Sequence, residues 1–167
     1  MSRCKAMKLD AVLGGKKLAE PVIRRVRDDD ELSDVLEMWR LAGVTPPSVS
    51  DSIEGLTCLL REPAGLLLVA SIDDQIVGSV IGGWDGWRGN IYRLAVTPKY
   101  RRRGIARLLV AKISSELFAK GATRLAALVE HEHQWALGFW ESLRDLGFEQ
   151  DPRFARYIAD RGGGKTR

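Results

Sequence analysis

Residues 90–112 read NIYRLAVTPKYRRRGIARLLVAK, and this stretch decides the fold. The apolar run from Ile91 to Val96 predicts a strand, which ends at Pro98. An amphipathic helix is predicted from Gly104 onward, because apolar residues then recur at every fourth position. These residues are Ile105, Leu109, Ile113 and Leu117. A basic turn that contains a glycine therefore joins a strand to a helix.

The start of this helix is suited to binding an anion. The first N–H groups of a helix have no internal partner and carry partial positive charge. Gly104 and Ala106 are small enough to let a bulky anion approach the main chain. The preceding arginines, Arg101, Arg102 and Arg103, add forked donors that match phosphate oxygens. Three arginines alone are equally typical of a solvated turn, but their place between a strand and a helix favours phosphate binding.

The pattern Arg101-x-x-Gly104-x-Ala106, after a strand that ends Leu94-Ala95-Val96, resembles the central motif of the GNAT family of N-acetyltransferases. The resemblance extends more weakly from about Val22 to Ile158. It implies an α+β, acyl-CoA N-acyltransferase fold, in which about four helices flank a central mixed sheet with two splayed parallel strands. It also implies that the turn binds the pyrophosphate of acetyl-CoA. The pantetheine arm would then pair with the main chain of residues 94–96 in the gap between the splayed strands.

The composition is that of a soluble globular protein. The chain has 167 residues, of which 45% are hydrophobic and 29% charged, and this length predicts one folded domain. We expect a flexible N-terminal extension at 1–20, a GNAT-like domain at 21–160 and a disordered tail at 161–167. No apolar run approaches the roughly 20 residues that span a membrane, and residues 1–17 lack the apolar core of a secretory signal. Cys4 and Cys58 show no pairing pattern, so a reducing cytoplasm is expected, with Cys58 buried in a helix.

The charge balance does not favour nucleic acid as a partner. The formal net charge is +4 and the sequence pI is about 9.3. The positive residues are not gathered into one patch with interleaved aromatic residues, as nucleic-acid binding would need. An anionic cofactor explains the arginines at 101–103 better than a duplex does.

The rest of the chain is predicted to contribute five more strands and three more helices. Strands are predicted at 21–27, 66–72, 76–84, 91–96, 124–129 and 154–158, and the three that lie between 66 and 96 are joined by tight turns that make them antiparallel. Helices are predicted after 28–30, after a cap at Ser50 or Asp51, from Gly104, and from Gln134 to Leu146. The first of them has a predicted buried face of Leu32, Val35, Leu36, Trp39 and Leu41. In the family, the loop between the first two helices helps to line the acceptor pocket.

Acyl transfer to an amine requires a bound thioester, a neutral amine, stabilisation of the carbonyl oxygen and a proton for the departing thiolate. We expect an N–H of Ala95 or Val96 to donate to the carbonyl oxygen. Glu130 is the expected general base, because it follows the second splayed strand. The alternative is that residues 130–133 are only a polar loop that leads into a helix.

The general acid is the point at which this sequence departs from the family. Many members have Asn at the position of His133 and Tyr at the position of Trp140, and an indole has no ionisable proton near neutral pH. Tyr157 is therefore the expected acid, with Tyr92, Tyr100 or water as alternatives. No metal is expected, because His131-x-His133 lacks a third and a fourth ligand. The expected cofactor contacts are Leu94, Ala95, Val96, Arg101, Arg102, Arg103, Gly104, Ile105, Ala106, His133 and Trp140.

The sequence thus predicts an acetyl-CoA-dependent N-acetyltransferase that acts directly on a primary amine of a small molecule, peptide or protein. The alternative is a non-catalytic acyl-CoA-binding or regulatory module of the same fold, which the departures at His133 and Trp140 suggest. The expected partners are acetyl-CoA and an amine acceptor, without a membrane, and a homodimer is left open.

Overall fold

A computed structural model describes residues 19–27, 31–43, 48–130 and 133–153. Within them, five strands form one sheet in the order β1-β2-β3-β4-β5. The elements are β1 (Val22–Arg25), α1 (Leu32–Ala42), α2 (Ile53–Arg61), β2 (Gly65–Ile72), β3 (Gln75–Trp84), β4 (Gly89–Val96), α3 (Ile105–Ala119), β5 (Leu125–Ala127) and α4 (Gln134–Glu141). The pairs from β1 to β4 are antiparallel, whereas β4 and β5 are parallel. The predicted mixed sheet with four helices is confirmed.

Two hydrophobic cores cover the two faces of the sheet. On one face, the predicted stripe of α3 packs against the strands, and its four members are each 2% exposed or less. On the other face, α1 and α2 pack against the sheet around Leu32, Val35 and Leu67. Each buried Leu or Ile side chain contributes roughly 1.5–3 kcal/mol to the free energy of unfolding. Both ends of β4 are held in these cores, through Ile91 near its start and through Ala95 and Val96 at its end.

The predicted buried faces of α1 and α2 need correction. Leu41 is 51% exposed, and Met38 and Ala42 are buried instead, because they continue the three- and four-residue spacing from Val35. Cys58 is exposed and not buried. The cap of α2 is neither Ser50 nor Asp51, since the hydroxyl of Ser52 accepts the N–H of Gly55 at 3.0 Å.

The last predicted helix is shorter than expected. It ends at Glu141, and a 3₁₀ turn at Arg144–Leu146 follows it. The Ser142 N–H bonds to the carbonyls of both Gly138 and Phe139, and the Ser142 hydroxyl donates to the Phe139 carbonyl at 2.6 Å. Such short-range bonds tighten and end a helix. The strand predicted at 154–158 lies outside the described residues.

A carboxylate joins β1 to the start of α1. Glu31 accepts two bonds from the Arg24 guanidinium, at 2.8 and 2.9 Å, and the N–H of Arg27 at 2.8 Å. The bonds from Arg24 are the largest cause that lowers the pKa of Glu31 from 4.5 to about 2, while burial opposes the shift. The stabilisation is therefore fully present above about pH 4.5 and is lost as the pH falls towards 2.

We expect Glu31→Gln to lower the free energy of unfolding by about 1–3 kcal/mol at pH 7, because the charged pairing with Arg24 and Arg27 is lost. The difference from the wild type should shrink as the pH is lowered from 5 to 3, as measured by urea unfolding. Glu37→Gln is the control, since Glu37 pairs with Arg40 on the exposed side of α1. It should leave the unfolding midpoint unchanged. An equal loss for Glu31→Gln at pH 7 and pH 3 would contradict this account.

Candidate active site

Strand β4 contains a bulge at its centre. Tyr92 lies opposite Ile81 and Ala95 opposite Ser79, so that two residues of β4, Arg93 and Leu94, face one residue of β3. Arg93 has a φ of 48°, which is the left-handed region that side-chain-bearing residues seldom adopt. A bulge bends its strand and increases its twist. The bulge therefore lies between the part of β4 that pairs with β5 and the end of β4 at Val96.

Beyond its pairing with β5, strand β4 has an unpaired edge, and the space beside that edge is here called the gap. The two strands pair only where Gly89–Ile91 faces Leu125–Ala127, whereas β4 runs on to Val96. The β5-facing edge of β4 after Ile91 has no strand partner within the ranges that the structure describes. The resemblance to the family implies two splayed strands here, and the structure shows that the pairing of β4 ends at Ile91, where β5 ends.

The hydrogen-bond pattern decides which amides face the gap. The Thr97 N–H donates to the Val77 carbonyl at 2.9 Å, so Thr97 faces β3. Main-chain groups of successive residues in an antiparallel strand point to opposite edges. Ala95 therefore faces β3, while Leu94 and Val96 face the gap. The structure favours Leu94 and Val96 over Ala95 as donors in the gap, and all three assignments stay predictions.

The start of α3 provides free main-chain donors. Gly104 is the N-cap residue, with a φ of 77°, no side chain caps the helix, and its first turn contains no acidic residue. A Cβ atom built on Gly104 would meet no atom within 4 Å, so the space in front of the helix is open. The backbone of Arg102 is also in the left-handed conformation, with a φ of 62°. Turns with left-handed residues gather N–H groups into concavities that bind anions, so these residues fit a diphosphate.

The three arginines of the turn have different roles. Arg102 and Arg103 are exposed and next to the start of α3. The guanidinium of Arg101 instead donates to the Val96 carbonyl at 3.0 Å and to the Ala42 carbonyl. Arg101 thus braces the turn against β4 and α1. This leaves Arg102 and Arg103 as the better-placed phosphate ligands of the predicted three.

A carboxylate and an imidazole lie next to each other after β5. Glu130 Oε2 is 3.3 Å from His133 Nε2, and both side chains are 36% exposed. The main-chain N–H of His133 also donates to the main-chain carbonyl of Glu130. Carboxylate and imidazole are the side-chain types that most often serve as general acids and bases. His131 and Glu132, which stand between them, lie outside the described residues.

The aromatic residues near α4 are packed in different ways. Trp140 is half-buried against the α3-side core, with its ring centroid 5.1 Å from that of Phe148. Trp135 is 56% exposed, and the Arg101 guanidinium lies 5.2 Å from its ring. Tyr157, the expected acid, lies outside the described residues. Its role and that of Trp140 towards the cofactor stay predictions.

Sequence reasoning missed a polar group at the bulge, formed by Trp39, Asp51, Ser79 and Arg93. Asp51 was expected to be a helix cap, and it pairs with Arg93 instead. An available signal was Arg93 itself, the one charged residue inside an apolar strand.

Within the described ranges, no helix is long and apolar enough to cross a membrane. The same residues contain no group of three or more His, Cys, Asp or Glu side chains arranged to hold a metal ion. The expectation that no metal takes part stays a prediction.

Residues 22–148 match the model of the acetyltransferase (GNAT) family. An acetyltransferase of Photorhabdus laumondii is 32% identical over 119 residues, which are 71% of this chain and 82% of that protein. An N-acetyltransferase of Yersinia pestis is 34% identical over 119 residues, which are 71% of this chain and 84% of that protein. Among solved structures, the aminoglycoside N-acetyltransferase AAC(6')-Iy in complex with CoA has a TM-score of 0.68 at 18% identity, covering 88% of this chain and 99% of that one.

Proposed function

This chain belongs to the acetyltransferase (GNAT) family, and we propose that it transfers the acetyl group of acetyl-CoA directly to a primary amine of a small molecule, peptide or protein. One observation carries this proposal. The uncapped start of α3 adjoins the open edge of β4, so that an anion site and a strand edge lie next to each other. A diphosphate with an extended amide arm is the ligand chemistry that uses both.

The order of the two sites along β4 gives each amide a role. The diphosphate binds at residues 104–106 with Arg102 and Arg103, beyond the carboxyl end of β4. The arm then runs back along the strand, so that Val96 meets its nearer part. The thioester is at the far end of the arm and therefore reaches Leu94, next to the bulge. We assign the donor to the carbonyl oxygen to the N–H of Leu94.

The transfer needs little further from the protein. The amine attacks the carbonyl carbon, the C–N bond forms, and the C–S bond breaks as the thiolate departs. Negative charge that develops on the carbonyl oxygen is stabilised by the Leu94 N–H. Glu130, held by His133, takes the proton of the amine directly or through a water molecule. A thiolate is a good leaving group, so Tyr157, the proposed acid, assists its departure without being essential.

The second candidate is an acyl-CoA-binding or regulatory module. It is favoured by the packing of Trp140, whose ring lies against Phe148 and Phe139 and offers no ionisable proton. Both candidates predict CoA binding, so binding alone does not separate them.

The deciding experiment measures thiol release from acetyl-CoA in the presence of an amine panel. The panel contains neamine and sisomicin, the polyamine spermidine, and peptides with a free N-terminus or a lysine. The proposal expects at least one amine to give thiol and acetylated product in equal amounts, with the product identified by mass. Tight CoA binding without acceptor-dependent thiol release from any amine would favour the regulatory module. The aminoglycosides are included because solved aminoglycoside acetyltransferases share this fold.

The domain limits of 21–160 and a cytoplasmic location remain part of this proposal. An amine acceptor and acetyl-CoA are its partners, and nucleic acid is not.

A further inference from the structure

A partly buried ion pair lies at the bulge, on the face of the sheet that α1 and α2 cover. The Arg93 guanidinium contacts both carboxylate oxygens of Asp51, with Nε 3.0 Å from Oδ1 and the second contact to Oδ2. The two side chains are only 15% and 10% exposed. Arg93 also lies 5.5 Å from the ring of Trp39, a core residue of α1. The pair therefore joins the segment before α2 to the centre of β4.

Further hydrogen bonds hold both ends of this pair. The Asp51 carboxylate accepts the N–H of Ser48 at 2.8 Å, which folds residues 48–51 around it. The Trp39 indole N–H donates to the Ser79 hydroxyl at 2.7 Å, and Ser79 lies opposite Ala95 on the other side of the bulge. Residues 48–52, α1, β3 and the bulge are thus connected through side chains. These contacts lie around the bulge, where the regular pairing of β4 with β3 is interrupted.

Stability alone is a weak explanation for such a pair. Desolvation of two charges offsets most of their attraction, so apolar residues of similar volume often stabilise a fold equally well. A bidentate pair instead fixes both distance and orientation. Here it fixes a residue with a left-handed backbone, a strained conformation that persists only where its surroundings hold it. The residue next to it is Leu94, whose amide is the proposed donor to the carbonyl oxygen.

We propose that Arg93 and Asp51 are positioning residues, which hold residues 48–52 and the bulge in register so that the Leu94 N–H stays directed at the carbonyl oxygen of the thioester while the amine attacks. This inference rests on the proposed function for its activity readout. The diphosphate site, at the start of α3, lies on the opposite face of the sheet. Loss of the pair should therefore impair transfer to the amine and leave CoA binding intact. A misplacement of about 1 Å in such an arrangement costs roughly 100-fold in rate.

The test is the double variant Arg93→Gly/Asp51→Asn. Glycine accepts the left-handed backbone, and removal of both charges leaves no unpaired, partly desolvated ion. We expect its Kd for CoA to stay within about twofold of the wild type, while kcat/KM for an amine that the wild type acetylates falls at least tenfold. Arg93→Lys, which keeps the charge and loses the fork, should give an intermediate loss. Arg40→Gln/Glu37→Gln removes an exposed pair from α1 and should change neither value.

Hydrogen exchange gives a readout that needs no amine. In the double variant with CoA bound, the main-chain amides of residues 48 and 51 should exchange at least tenfold faster than in the wild type, while those of α3 should not change. Should the wild type acetylate no amine, the proposed function fails, and these exchange rates still decide the inference. Unchanged exchange at residues 48–51, or an unchanged kcat/KM in the folded double variant, would overturn it.

Discussion

Gly104→Glu is expected to raise the Kd for CoA by about 100-fold or more and to leave the fold intact. The Cβ of the new residue would meet no protein atom within 4 Å, so the side chain would extend into the open space before α3. That is where the diphosphate is proposed to bind. A carboxylate there would use the free N–H groups itself and repel the phosphate charges. Isothermal titration with CoA measures the effect.

Two matched variants separate this effect from backbone strain. Gly86 lies in the turn between β3 and β4, has a φ of 90°, and a Cβ there also meets nothing within 4 Å. Gly86→Glu therefore imposes similar strain and charge at the other end of α3, far from its start, and it should leave the Kd unchanged. Gly104→Ala tests the strain alone, which costs about 1 kcal/mol of stability. A folded Gly104→Glu variant that binds CoA as the wild type does would contradict the assigned phosphate site.

Replacement of Leu94 by its α-hydroxy analogue is expected to lower kcat by about 100- to 1,000-fold. The change converts one amide to an ester and so removes a single N–H, while the side chain and its packing stay. Because that N–H faces the gap and not β3, no ladder bond is lost. The Kd for CoA, which lacks the acetyl group, should change by no more than a few-fold. Steady-state kinetics with the acetylated amine and titration with CoA measure the two effects.

The same replacement at Ala95 is the matched control. Its N–H faces β3, opposite Ser79, so its loss should lower the free energy of unfolding and leave kcat nearly unchanged. If the ester at Ala95 abolishes turnover and the ester at Leu94 does not, the assignment of edges along β4 is wrong. The comparison therefore tests the alternation argument directly.

Local patterns in the sequence predicted the elements with one clear apolar face. The α3 stripe is an example, because Leu109 and Leu117 lie on the same side of a helix whatever the helix packs against. The antiparallel meander is another, since tight turns leave neighbouring strands no other arrangement. The proposed anion site likewise depends on Gly104 and the helix start, both of which are local features.

The features that were missed depend on contacts between distant residues. Asp51 and Arg93 are separated by 42 positions, and only the folded sheet brings them together. Arg101 is predicted to bind phosphate, which stays a prediction, and the contact of its guanidinium with the carbonyl of Ala42, 59 positions away, is visible only in the fold. The bulge cannot be predicted from a local pattern either, because it is a shift of register between two strands and not a motif within one strand.

A crystal structure determined with saturating CoA tests the central claim most directly. The account predicts the diphosphate within hydrogen-bond distance of the main-chain N–H groups at residues 104–106. It also predicts the pantetheine arm alongside Leu94 and Val96, in the gap between β4 and β5. A diphosphate bound elsewhere, with the gap left to solvent, would contradict the account.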